Sequence, residues 1–143
     1  MDDVLVNKAA TIERCIRRVR EEYVGHEDEF ETNFTRQDAI ILNLQRACEA
    51  AIDMGARLVR LRHLGVPQTS RDVFTLLEGA GLLAPGLAAG MAAMVGFRNV
   101  AVHGYRALSL AITRALIETR LDDLLAYARH ALTVGAAAHD AGG

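Results

Sequence analysis

An all-α fold, a bundle of antiparallel helices in one domain, is what this 143-residue sequence predicts. Three observations carry the prediction. The chain is rich in Ala and Leu, with only two prolines and no Trp, a composition that favours helix over sheet. Apolar residues recur at three- and four-residue steps through successive segments, the period of a helix with one buried stripe. No internal repeat and no long linker interrupts these segments, and the length suits a single core.

The first helix is expected over Val4 to Tyr23, where Leu5, Ala9, Ile12, Ile16 and Val19 form the stripe and Glu13, Arg14, Arg17, Arg18, Glu21 and Glu22 the polar remainder. Gly25 to Thr35 is polar and aperiodic, hence a loop, with Thr35 and Asp38 placed to cap the next helix. That second helix is expected from Arg36 to Leu61, with a seam of Ile40, Leu44, Ala47, Ala51, Met54 and Leu58. A second line along it holds Asn43, Arg46, Ala50, Asp53 and Arg57. That line reads either as a solvated face with an Asp53–Arg57 pair, or as polar groups supporting a groove, with small Ala50 leaving room. Arg57, Arg60, Arg62 and His63 either complement the helix dipole or touch phosphates. His63 to Gln68 turns, and Thr69 or Ser70 caps a short helix through Glu78, broken by Gly79 and Gly81. Pro85 suits the first turn of a helix running to about Phe97, with Leu87, Met91 and Met94 on its seam. Arg98 is the next member of that series. Two further helices are expected over Leu108 to Glu118 and Thr119 to Ala136, with stripes of Leu108, Ile112 and Leu116, then Leu121, Leu124, Leu125 and Ala128. Thr119 and Asp122 permit a cap between them. Residues 1–138 read as the domain and 139–143 as a frayed tail.

The net charge of -2 excludes a uniformly basic nucleic-acid binder, so any RNA must meet a local patch. Cys15 and Cys48 have no metal-ligand spacing and read as reduced core thiols of a cytoplasmic protein. The acidic start Met1-Asp2-Asp3 lacks the order of a secretory signal, and the apolar run Leu82 to Phe97, broken by Pro85 and glycines, is too short for a bilayer. No membrane partner, cofactor or metal is expected. His26, His63, His130 and His139 form no ligand set and read as surface residues.

The most informative stretch is Arg98-Asn99-Val100-Ala101-Val102-His103-Gly104-Tyr105. It joins a permanent cation, a ring that titrates near neutrality and a phenol. Arg neutralises a phosphate and His moves a proton near pH 7, which are the needs of RNA backbone cleavage without a metal. The plainer alternatives are a helix-end salt bridge for Arg98 and a satisfied core histidine for His103. Asn99 reads equally as a substrate hydrogen-bond partner or a helix-end cap. Tyr105 reads as a packing residue, a phosphate donor or a modification acceptor, and Gly104 permits a sharp backbone path between its neighbours. On an ideal helix, Arg98 and His103 stand about 140° apart. A kink, a loop, or contributions from two subunits would bring them together.

Arg98-x4-His103-x-Tyr105, preceded by Met94-Val95-Gly96-Phe97, resembles the motif of HepT-like toxins within the HEPN superfamily. Asn7-Lys8 and Ile12-Glu13-Arg14-Cys15 resemble that family's first helix, and the stretch from Gln37 to Asp53 its second. Gly65-Val66-Pro67, Arg71-Asp72 and Phe74 resemble the link to its third, so residues 3–128 are covered. The resemblance implies a HEPN-type antiparallel bundle, homodimeric, with the groove at the dimer interface. It implies a metal-independent endoribonuclease toxin that cuts tRNA or mRNA. His103 would take the proton of a ribose 2′-OH as general base, Arg98 would stabilise charge on the phosphoryl oxygens, and a 2′,3′-cyclic phosphate would result. On the groove readings given above for them, and not on the resemblance, Asn99, Arg46 and Asp53 would support substrate binding. It further implies a nucleotidyltransferase antitoxin of the MntA type, in a system like types II and VII, that adds AMP to Tyr105 and places charge where RNA phosphate must bind. A rival reading is a non-catalytic HEPN module that binds and regulates such a nucleotidyltransferase. A purely structural helical dimer is disfavoured, since packing needs none of Arg98, His103 and Tyr105.

Overall fold

In the computed structural model, residues 2–104 and 108–142 are described, with side chains to residue 137. Among them every regular element is helical: α1 Asp3–Tyr23, α2 Phe34–Leu61, α3 Ser70–Gly79, α4 Pro85–His103, α5 Leu110–Thr119 and α6 Leu121–Gly142, with one 3-10 turn at Glu27–Glu29. None is long and apolar enough to cross a membrane.

The two long helices α1 and α2 form an antiparallel hairpin, locked at both ends by charge. Asp2 caps α1 by accepting from the Leu5 amide at 3.1 Å and also pairs with Arg57 near the end of α2 at 2.7 Å. At the other end Arg36 donates to the Glu22 carbonyl at 2.8 Å and pairs with its carboxylate at 3.0 Å. All five expected α1 stripe residues and all six of the α2 seam are buried. The link between the helices is tied by Gln37, which donates to the Phe30 carbonyl at 2.9 Å beneath a fully buried Phe30 ring.

Two caps differ from expectation and one agrees with it. Asn33, not Thr35, caps α2, accepting from the Arg36 amide at 3.1 Å. The polar loop is therefore shorter and holds the 3-10 turn. Of the two candidates for α3, Thr69 is the cap, in a reciprocal capping box with Asp72. Thr119 does not cap α6: its hydroxyl donates back to the Ala115 carbonyl at 2.6 Å.

Helix α6 runs along the hairpin, antiparallel to α1, with Asp122 paired to Arg20 and Gly135 against Leu5 and Leu58. Tyr127 is buried and donates to the Ala51 carbonyl at 2.8 Å. Gly55 makes this possible, since a Cβ there would run into Val73 and stand 2.9 Å from the Tyr127 hydroxyl. The short α3 enters the same seam with Val73, Phe74 and Leu77. Helix α4 then runs antiparallel to α3 on the remaining face of α2, burying Met91, Met94, Val95 and Phe97. Helix α5 packs through Thr113, Leu116 and Ile117 and is anchored by Arg114, which donates to the Tyr23 hydroxyl at 2.9 Å and covers the Tyr23 and Phe30 rings. Ile112, expected on the α5 stripe, is instead 63% exposed.

Candidate active site

Helix α4 carries the motif, and its length decides the site. The helix expected to run to about Phe97 continues to His103, with the Gly104 amide donating to the Val100 carbonyl at 2.8 Å. No kink or loop intervenes between Arg98 and His103, so the two project about 140° apart.

Arg98 faces inward. Its side chain is 17% exposed, with Nη1 at 3.4 Å from the Glu49 carboxylate of α2 and Nη2 donating to the Ser70 hydroxyl of α3 at 2.5 Å. Its Nε is buried without a partner among the described residues. A cation so placed is costly unless paired, and Glu49 and Ser70 meet that need from two neighbouring helices. The guanidinium fork is not fully used by these two contacts, which leaves capacity for an anion.

His103 faces outward. The imidazole is exposed and lines an open groove with Asn99, Val100 and Gly104. Asn99 lies a full turn inside the helix, so the capping reading falls away and its side chain belongs to the groove. Beside it an apolar cleft is lined by Ala93, Gly96, Phe97, Val100, Leu108 and Ile112. Val100, Val102 and Ile112 are all exposed around His103. Tyr105, the modification candidate, lies outside the described residues.

The other named residues sit elsewhere. Asp53 pairs with Lys8 of α1 at 3.0 Å, not with Arg57, which is taken by Asp2. Arg46 is exposed on the α1 side, close enough to bear electrostatically on Cys15. Ala50, read as leaving room for a ligand, is 3% exposed and packed. Arg62 reaches the Val134 carbonyl, so part of the basic cluster at the end of α2 holds the bundle together. Among the expected surface histidines, His63 is exposed, His130 bonds the Leu82 carbonyl, and a half-buried His26 bonds Glu29. His139 lies outside the described side chains.

Glu49 and Ser70 escaped the sequence reading. The available signal for Glu49 was a lone carboxylate among Ala47, Cys48, Ala50 and Ala51, all of which are buried. Burial raises both cysteine thiols, removing them as nucleophiles. Among the described residues no cluster of three His, Cys, Asp or Glu side chains is placed to hold a metal ion.

Comparisons with known proteins converge on one group. A family model described as ribonuclease HepT-like matches residues 12–131. The chain is 46% identical over 123 residues, 86% of its length, to the mRNA nuclease HepT of Shewanella oneidensis, of which 92% is covered. It resembles the tri-AMPylated Shewanella oneidensis HEPN toxin, solved in complex with its MNT antitoxin, with a TM-score of 0.85 at 44% identity over 91% of this chain and 97% of that one. A toxin–antitoxin structure with AMP-PNP gives a TM-score of 0.86 at 42% identity, covering 92% of this chain and 99% of that one.

Proposed function

This chain belongs to the HepT-like ribonuclease family, and from that premise we propose that it is an endoribonuclease toxin, held in check by a nucleotidyltransferase antitoxin. The observation that carries the reading is His103, an exposed imidazole at the end of α4 beside Asn99, on a face bordered by exposed Val100 and Ile112. Neutral His103 takes the proton from a ribose 2′-OH, and that oxygen attacks the adjacent phosphorus. Arg98 stabilises the charge that grows on the phosphoryl oxygens, a contact strongest in the transition state. The weak 3.4 Å contact to Glu49 is readily exchanged for a phosphate oxygen. The leaving group is the 5′ oxygen, protonated by an imidazolium, and the product carries a 2′,3′-cyclic phosphate. Proton transfer and charge neutralisation are both supplied by side chains, so the reaction is metal-independent.

The angle between Arg98 and His103 favours a groove made by two copies of the chain. A homodimer built on the exposed face of α4 brings two imidazoles to one groove, one acting as base and the other as acid. Tyr105, two residues from His103, is the acceptor for AMP: the added phosphate repels RNA from the same groove. Proteins of this kind in complex with an MNT antitoxin, one of them tri-AMPylated, support that partner. The setting is cytoplasmic, where RNA and a reducing poise suit the two free thiols.

The test is cleavage of total RNA in EDTA by purified protein, shown by intact mass to be unmodified, beside Arg98→Ala and His103→Ala. Cleavage with cyclic phosphate ends, lost in both variants while His103→Ala keeps its melting temperature, is the expected result. Unmodified protein that leaves RNA intact would replace this reading with a module that binds and regulates the nucleotidyltransferase.

A further inference from the structure

We propose that Arg71 is a second phosphate-binding residue, seated over Gly96 on the His103 face of α4, which grips the RNA strand at a phosphate beside the one cleaved. The inference rests on the ribonuclease reading and deepens it.

Arg71 is exposed, and among the described residues its guanidinium makes no ion pair or hydrogen bond. Most other arginines near the bundle's seams are occupied: Arg36 by Glu22, Arg57 by Asp2, Arg114 by Tyr23 and Glu31, and Arg120 by Asp123. The acid next to Arg71 in sequence, Asp72, is committed to the Gln68 and Thr69 amides in the cap of α3. An unspent cation therefore stands at the start of α3, one residue from the Ser70 hydroxyl that holds Arg98.

Its position is set by a glycine. Nη2 of Arg71 lies 3.1 Å from where a Cβ on Gly96 would be, so the guanidinium rests against the bare backbone of α4. Gly96 and His103 are seven residues apart, which places them within about 20° of one line and about 10 Å apart along the axis. Arg98, by contrast, is about 160° round the helix from Gly96 and turned toward Glu49. Arg71, rather than Arg98, shares the outer face with the exposed imidazole. At that separation it meets a neighbouring phosphate and not the scissile one. The groove holding its stem is lined by Thr75, Pro85, Ala88, Ala89 and Ala92, small groups that leave room for a polynucleotide backbone, with Glu78 two turns further along α3. A fork of N–H donors on a flat guanidinium is suited to phosphate oxygens and reads no base, so the contact adds affinity without sequence preference.

The experiment compares a short single-stranded RNA with a dinucleotide that contains only the scissile phosphate. kcat and KM are measured for the full chain, Arg71→Ala and Arg71→Lys on both substrates. With Arg71→Ala the ratio of oligomer to dinucleotide kcat/KM falls about tenfold, the effect of one charge-assisted contact, mainly through the oligomer KM. Arg71→Lys recovers part of the ratio, because the charge returns without the fork. Binding of the oligomer becomes less salt-dependent, its log–log slope shallower by about 0.7. An unchanged ratio, or an unchanged salt slope, overturns the proposal, and would leave Arg71 to dock a protein. If the parent chain cleaves neither substrate the ribonuclease reading fails on its own, and the salt slope of oligomer binding still decides the role of Arg71.

Discussion

At the scale of single residues, the cation that the motif supplies is held by neighbours the motif does not contain. Arg98 has Ser70 at 2.5 Å and Glu49 at 3.4 Å, and Glu49 is 42% exposed. The short hydrogen bond is the closer contact, so it matters more than the longer, solvent-screened ion pair. Ser70→Ala therefore removes the one close acceptor from a cation whose Nε is already unpartnered, and is expected to lower stability by about 1–2 kcal/mol. Glu49→Gln is expected to lower it by less than about 1 kcal/mol. Urea unfolding of the two variants ranks them, and the reverse order would mean that the ion pair dominates. Cleavage falls in both, since a guanidinium that is not oriented cannot meet the phosphoryl oxygens.

At the scale of elements, the two ends of the α1–α2 hairpin show a cap that doubles as a lock. Asp2 both caps α1 and binds Arg57, and the Arg57 hydrogen bond, aided by the Leu5 amide, holds its carboxyl below the usual carboxylate range. A depressed folded-state value stabilises the protein at every pH above the unfolded value, near 3.9, and the gain is lost as pH falls through the folded one. Asp2→Asn keeps the capping oxygen but not the charge. The variant is expected to be less stable than the parent at pH 7 and equal to it in strong acid. A stability gap that stays constant across acid titration would contradict the pairing. The same helices show what can be read from sequence. Every expected seam residue of α1 and α2 is buried because the face each of these long helices turns to the other imposes a strict period over many turns. The end of α4 was not legible: the helix was expected to run to about Phe97, but it continues past Arg98, whose contacts with Glu49 and Ser70 are tertiary and without local signature. Ile112 misled for the complementary reason, since periodicity says that an apolar face exists and not which molecule covers it. The motif itself was legible as chemistry, and the helical period already put Arg98 on the seam about 140° from His103; what it did not reveal was that the helix runs unbroken to His103 and that Glu49 and Ser70 receive the cation.

At the scale of the whole molecule, that uncovered face is the unfinished part of the fold. Small Ala93 leaves α4 nearly bare on this side, while Val100 and Ile112 leave apolar surface that a single chain does not bury. His103 and Asn99 lie at the edge of this surface, so whatever covers it also walls the groove. A second copy of the chain, as proposed above, would do both and would place a second imidazole opposite the first. Val100, which lines both the apolar cleft and the His103 groove, is the residue through which assembly and activity are joined. Val100→Glu puts a charge where two apolar faces meet, and burying it unpaired costs more than the contact returns. It is expected to leave the helical content of the chain intact, since Val100 is already 37% exposed in the single chain. Sedimentation is expected to shift from dimer to monomer, with RNA cleavage lost in step. A monomeric Val100→Glu that cleaves at the parent rate would show that one chain holds the whole site, and that Arg98 swings out to join His103 on its own helix.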